Sequence, residues 1–261
     1  MKNLLLIILF LSVGFSQQEY NSNDLIEMDN GLFTVKFSDE PITGKVYGYF
    51  GKDGEELTKV YIGKLINGEK DGKWTIWFHN TGTKQYEENW KDGELDGLHT
   101  LWYENGQKEV EGTYKDGKED GLFTGWYENG QKEFEGTLKD EKIDGLYTEW
   151  YENGQKKFEG TLKDGKKDGL LTWWYENGHK KSEGSYNDDE KDGLSTGWNY
   201  IGQKTIEETY KYGEEIEETR WTYYVNGQKE FEETYKDGER GVFTSWYDNG
   251  QKSYEGTFKD G

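Results

Sequence analysis

The stretch WYENGQKEFEGTLKD, residues 126–140, decides the fold, because near copies of it begin at Trp102, Trp150 and Trp174. A phrase that recurs at a fixed period sets the architecture that every other residue inhabits. Gly106, Gly130, Gly154, Gly178 and Gly202 keep a spacing of 24 residues. A second series, Gly97, Gly121, Gly145, Gly169 and Gly193, keeps the same period, skips Glu217 and returns in phase at Gly241. Trp102, Trp126, Trp150, Trp174 and Trp198 follow the same beat, and Trp246 rejoins it.

Within each unit two strands are joined by Asn-Gly, the strongest short-range hairpin signal, since both central residues of a type I′ turn need positive φ. This predicts a type I′ turn at Asn105-Gly106 that pairs Tyr103 with Lys108, Leu101 with Val110 and His99 with Gly112. A second turn at Asp116-Gly117 then sets Val110 opposite Phe123 and Gly112 opposite Gly121. One face carries Leu98, Thr100, Trp102 and Glu111, and the other Leu101, Tyr103, Val110 and Tyr114. Facing glycines leave a trough over which rings such as Phe123 can lie. The expected fold is all-β: an elongated, single-layer antiparallel array of about nine hairpins of ~24 residues, each touching only its neighbours. The first, Thr43 to Ile66, is degenerate, and the second has a longer turn within WTIWFHNTGTK. The eighth, around Asn226-Gly227, is one residue long before its turn and one short after it.

Composition alone argues the other way. Leu, Ile, Val and Phe make up under a fifth of the 261 residues and the net charge is −21, a combination typical of disordered chains. Aromatic residues at 16% and the strict period oppose that reading, because periodic rings can be stacked into a core. Ala is absent while Gly occurs 36 times, so strand and turn formers replace the best helix former. With no Cys there is no disulfide, thiolate metal site or cysteine nucleophile. The large negative charge repels nucleic acid and anionic lipid surfaces.

The start, MKNLLLIILFLSVGFSQQEY, reads as a secretory signal over residues 1–16, with cleavage after Ser16 and export to the periplasm, cell surface or medium. Its apolar run is too short for stable insertion across a bilayer. Residues 17–42 form an N-terminal segment with one strand, and residues 43–261 the repeats. The repeat DGLFTGWYENGQKEFEGTLKDEKIDG and the opening NGLFTVKFSDEPITGKVYGYF resemble the MORN-repeat variant of bacteria, the YwqK-type antitoxin-like family. The resemblance spans about Gly31 to Gly261. It implies an open, twisted hairpin array and a role in binding rather than catalysis.

Chemistry is hard to place on such a chain. His179 occupies a position that holds Gln in other units, His99 one that holds Phe or Tyr, and His79 lies in a long turn; none has the partners a catalytic site requires. Paired carboxylates such as Glu119-Asp120 are everywhere, and a one-layer sheet offers no closed pocket to raise a carboxyl pKa. The turn carboxylates Asp116, Glu119 and Asp120 lack the spacing of a dedicated calcium loop. No catalytic residue, cofactor or metal is therefore expected. The candidate ligand-binding ladder is the row Trp102, Trp126, Trp150, Trp174, Trp198 and Trp246, whose rungs stand ~9.6 Å apart at two strand spacings. That interval resembles the repeat of a β-linked disaccharide, so a glycan could stack along it. The simpler reading is that the same tryptophans cover the sheet, packing on Leu98, Leu122 and Thr124. The expected function is a secreted, non-enzymatic surface that binds or scaffolds another protein. The alternatives are a carbohydrate-binding surface protein and an immunity-type factor sequestering a toxin. The strand near Tyr254 to Lys259 is expected to be an open edge that supports weak self-association.

Overall fold

The computed structural model describes residues 18–51 and 54–258. The proposed signal segment lies outside the described residues. Two compact units divide the chain, one ending at Glu94 and one beginning at Leu95.

The second unit is an antiparallel meander of seven hairpins among the described residues. It runs from Gly97–Trp102 paired with Lys108–Lys115 to Glu239–Trp246 paired with Lys252–Thr257. Lys118–Trp126 shows how a repeat is made, pairing backwards with Lys108–Lys115 and forwards with Lys132–Lys139. The expected pairs Leu101 with Val110 and His99 with Gly112 are present.

The turns exchange the roles assigned to them from sequence. At Glu104-Asn105-Gly106 only Gly106 has positive φ, at 84°. Tyr103 N–H donates to Gln107 C=O and Gly106 N–H to Tyr103 C=O, both at 2.9 Å, closing a three-residue loop rather than a type I′ turn. Lys108 consequently pairs with Trp102, not with Tyr103. The left-handed pair sits at the other turn, where Asp116 has φ 49° and Gly117 φ 77°. Asp and Gly tolerate this region; at Asp140-Glu141 even Glu is held there, at φ 64°.

The second register also differs from the expected one. Tyr114 pairs with Glu119 and Gly112 with Phe123, so two extra residues are accommodated in Lys118–Trp126. They form a bulge at Asp120-Gly121, where Thr113 Oγ1 donates to the Asp120 carbonyl at 2.6 Å. Gly121 has φ 112°, and a Cβ there would lie 2.3 Å from Thr113 Oγ1. Gly121 is thus a bulge glycine and does not face Gly112. The same double shift recurs between Gly160 and Leu162 and between Gly184 and Tyr186.

The shifted register brings rings onto glycines. A Cβ at Gly136 would meet Tyr147 at 2.8 Å and Phe123 at 2.9 Å. Phe134, Phe123, Tyr147, Phe158, Trp173 and Tyr186 form a continuous row with successive centroids 5.1–6.3 Å apart. This row, with the buried Leu138 and Leu171, is the apolar filling of a sheet over which the described residues lay no second layer.

The first unit contains two hairpins, Gly44–Phe50 with Thr58–Ile66 and Glu69–Trp77 with Lys84–Lys91. Ahead of them stand three short strands rather than one. Glu19–Asn21 adds parallel to Gly44–Phe50, and Leu25–Glu27 pairs with Phe33–Val35. Tyr20, Leu25, Phe33 and Val35 pack on a core of Ile42, Val46, Ile62, Leu65 and Trp74. Here the N-terminal segment supplies the cover that the repeats do without.

Candidate binding face of the repeats

Why WYENG recurs is clear from what its side chains do between hairpins. Tyr103 Oη donates to the Trp126 carbonyl at 2.8 Å, Tyr127 to Trp150 at 2.7 Å, Tyr151 to Trp174 at 2.7 Å and Tyr175 to Trp198 at 2.9 Å. Each Asn faces two ways. Asn129 Oδ1 accepts from Gln131 N–H within its own loop, while its Nδ2 donates to the Glu152 carbonyl of the next hairpin, both at 2.9 Å. Tyr and Asn together clamp these loops to their successors, satisfying carbonyls that the end of a strand leaves without ladder partners. This clamp is a role that sequence reading missed; the only signal for it was the unusual constancy of a turn.

Clamping the turns leaves the two faces free to differ. Thr124 and Trp126 lie on the face opposite Phe123, as alternation requires. Thr100, Thr124, Thr148, Thr172, Thr196 and Thr244 are buried along this face, and the six tryptophans of the expected ladder are half-buried beside them. A lysine from the preceding hairpin covers each of several rings. Lys108 Nζ lies 5.5 Å from the centre of Trp126, Lys132 5.6 Å from Trp150, and Lys156 and Lys180 5.7 Å from Trp174 and Trp198. The same ammonium groups pair with Glu111, Glu135, Glu159 and Glu183. A cation held over an indole face is a weak attraction that also occludes that face. In the eighth hairpin it is Trp221, off the 24-residue count, that lies under Lys204 at 5.6 Å and donates from Nε1 to Glu232 at 2.8 Å. Burial pushes the Glu232 carboxyl up, but hydrogen bonds from Lys229 and Trp221 outweigh it and hold the group below the usual carboxylate range.

Two positions before five of these six threonines stands an exposed leucine, and before Thr244 stands Val242. Leu122, Leu146 and Leu170 are 57–58% exposed, Leu194 52% and Leu98 43%. The face therefore carries two parallel rows: half-buried tryptophans, several of them under lysine–glutamate pairs, and exposed leucines.

The histidines have structural surroundings. His99 meets Tyr114 edge-on at 5.5 Å, His79 lies beside Phe50 and His179 Nδ1 is 3.1 Å from the Tyr200 carbonyl. The carboxylates that gather within 4.8 Å of one another among the described residues are Glu208, Glu215 and Glu218, not those of the Asp-Gly turns. Cations already serve this group, Lys191 Nζ lying 3.0 Å from Glu208 and Arg220 pairing with Glu218.

A comparison with curated protein sequences returns no match. Residues 95–116, 119–140, 143–164, 167–188 and 239–260 match the family described as MORN repeat variant. Each matched segment is one hairpin of the second unit, and the two hairpins between 189 and 238 that are passed over are those with an altered loop or register. Asn199 and Ile201 replace the clamping Tyr and Asn in one, and the other has the ten-residue strand Glu214–Tyr223. Five hairpins of the second unit are thus MORN repeats of the variant type.

Proposed function

We propose that the protein is an exported, non-enzymatic scaffold whose leucine-bearing face receives another protein. The observation that carries this reading is the row Leu98, Leu122, Leu146, Leu170 and Leu194, exposed on one face of five successive hairpins. An apolar row this regular on an otherwise acidic surface has no role in the fold, and large exposed apolar patches mark interaction sites. A toxin is one class of partner, the one implied by the resemblance to YwqK-type antitoxins. Stacking of a glycan on the tryptophans is disfavoured, because the lysine–glutamate pairs over Trp126, Trp150 and Trp174 would first have to be displaced.

The test replaces Leu122, Leu146 and Leu170 together by Ser and compares partner cross-linking from a photoreactive residue at position 194 in the otherwise wild-type and the triply substituted chain. Loss of a discrete cross-linked species with unchanged thermal stability supports the reading. Unchanged cross-linking, with saturable tryptophan fluorescence changes on adding β-linked polysaccharide, would reject it in favour of a glycan.

A further inference from the structure

The loop edge of the second unit carries another exposed feature, and it stands apart from the leucine face. In five of the seven loops the residue ahead of the asparagine position is acidic: Glu104, Glu128, Glu152, Glu176 and Asp248. In the other two it is Tyr200 and Val225, and Ile201 stands where each of the other six loops has Asn. Tyr200 is 57% exposed, Ile201 64% and Val225 fully. Apolar residues scattered singly over a surface need no explanation, but these three sit on neighbouring loops. Gln203 Nε2 of one loop donates to the Gly227 carbonyl of the other at 2.9 Å. The Tyr200 ring meets Tyr175 of the preceding loop edge-on at 5.3 Å, which fixes one border of the group.

Placing Ile201 there costs the fold a bond. Asn105, Asn129, Asn153, Asn177 and Asn226 each donate from Nδ2 to a carbonyl of the following loop, at 2.6–2.9 Å. By the same register an Asn at position 201 would reach the Val225 carbonyl, and Ile201 has no group to offer it. A local rule broken at an exposed position, with no gain in packing, marks a functional site. The charges around the three residues have one sign. Glu176 and Asp248 flank them, exposed and without an ion pair among the described residues. The lysines that follow the four loops are committed elsewhere, Lys180, Lys204, Lys229 and Lys252 pairing with Glu183, Glu207, Glu232 and Glu255.

We infer that Tyr200, Ile201 and Val225 form a docking window for a basic segment of a partner protein, whose apolar side chains seat on these three residues while its Lys or Arg groups face Glu176 and Asp248. Exposed aromatic and aliphatic side chains supply contact area, and the flanking carboxylates select the sign of the partner. The net charge of −21 opposes a second copy of the chain, or an anionic lipid surface, at this place.

The test sets stability against binding. Ile201→Asn with Val225→Glu writes the residues of the other loops into the window, so the double variant should melt at or above the wild-type temperature. The probe is the labelled peptide Ac-KLKYKLK-NH2, titrated into the full chain at low salt and read by fluorescence anisotropy, with Ac-KSKSKSK-NH2 and Ac-ELEYELE-NH2 as controls. It should bind wild type, and bind the double variant roughly tenfold less tightly although that variant is the more acidic. A photoreactive leucine analogue in the probe should cross-link to residues 199–203 or 224–228. The inference is overturned by no binding at millimolar peptide, unchanged affinity in the double variant, equal binding of either control, or cross-links confined to the leucine row. A double variant that melts below wild type would make Ile201 and Val225 structural and overturn it too. Phosphatidylcholine vesicles that sediment wild type but not the double variant would overturn it in favour of a membrane surface.

Discussion

If the Tyr clamps hold successive hairpins in register, removing their hydroxyls should destabilise the array by a predictable amount. Tyr103, Tyr127 and Tyr151 donate to the carbonyls of Trp126, Trp150 and Trp174 at 2.7–2.8 Å. Replacement by Phe keeps the ring and deletes one hydrogen bond, which is worth about 1 kcal/mol net when the site is part-buried. The three clamps share no partner and lie one hairpin apart, so their effects should add, giving about 3 kcal/mol for the triple variant. The pH dependence supplies an independent check. Burial, followed by nearby glutamates (Glu109 for Tyr103, Glu133 for Tyr127, Glu176 for Tyr151), raises all three phenols above their ordinary range. A pKa raised on folding means that the protonated donor favours the fold. The stabilisation is then fully present below the unfolded value of about 10 and is lost as pH rises through the folded one. Urea unfolding followed by tryptophan fluorescence should show the triple variant about 3 kcal/mol less stable than wild type at pH 7.5, with the gap closing above pH 10. A triple variant within about 0.5 kcal/mol of wild type at pH 7.5, less than one ordinary hydrogen bond, would refute the clamp as a source of stability.

Gly121→Ala should cost about 2 kcal/mol in the same assay, because the φ of 112° is strained for any other residue and the new Cβ would displace Thr113 Oγ1 from the Asp120 carbonyl. Removing residues 120–143, one 24-residue unit, should leave a folded chain with a single melting transition, whereas removing twelve residues reverses a strand and should lower the melting point sharply. Lys132→Met should leave Trp150 fluorescence more accessible to acrylamide, since the ammonium now lies 5.6 Å over its ring. Exported protein should begin at Gln17 by N-terminal sequencing; an intact Met1 on exported material would reject the signal reading.

Strand direction, hairpin number and face assignment were legible because the period of 24 and the alternation of strands leave one consistent arrangement. The turn chemistry was not. Asn-Gly reads as a type I′ turn only if the loop has two residues, and nothing local distinguishes that from a three-residue loop with one left-handed glycine. The closing choice belongs to the neighbouring hairpin, whose Glu152 carbonyl takes the amide of Asn129. The double bulge was hidden for a similar reason. Gly121 in a strand signals either a trough or a bulge, and only the Thr113 hydroxyl opposite decides between them. The tryptophan row was visible at once, yet its lysine cover was not, since Lys132 and Trp150 stand 18 positions apart in sequence and meet only across hairpins.

The division of labour within the repeat explains where its sequence is free to vary. Clamps at the loops and glycine-borne rings on one face fix the spacing, so the opposite face can carry residues the fold does not need. Where the clamp residues change, the filling changes with them. After Asn199 and Ile201 the next links are Gln203 Nε2 to the Gly227 carbonyl at 2.9 Å and Tyr223 Oη to the Lys204 carbonyl at 2.6 Å. In the same region Glu208 and Glu233 replace the glycines that carry rings elsewhere, and the aromatic row gives way to ion pairs of Lys191, Arg220 and Arg240 with Glu208, Glu218 and Glu233. Glu218 is 4% exposed, and a carboxylate so buried is tolerable only because Arg220 stands against it. Charge pairing thus does between Glu190 and Arg240 what ring stacking does before it, and the repeat tolerates the exchange because each hairpin answers only to its neighbours.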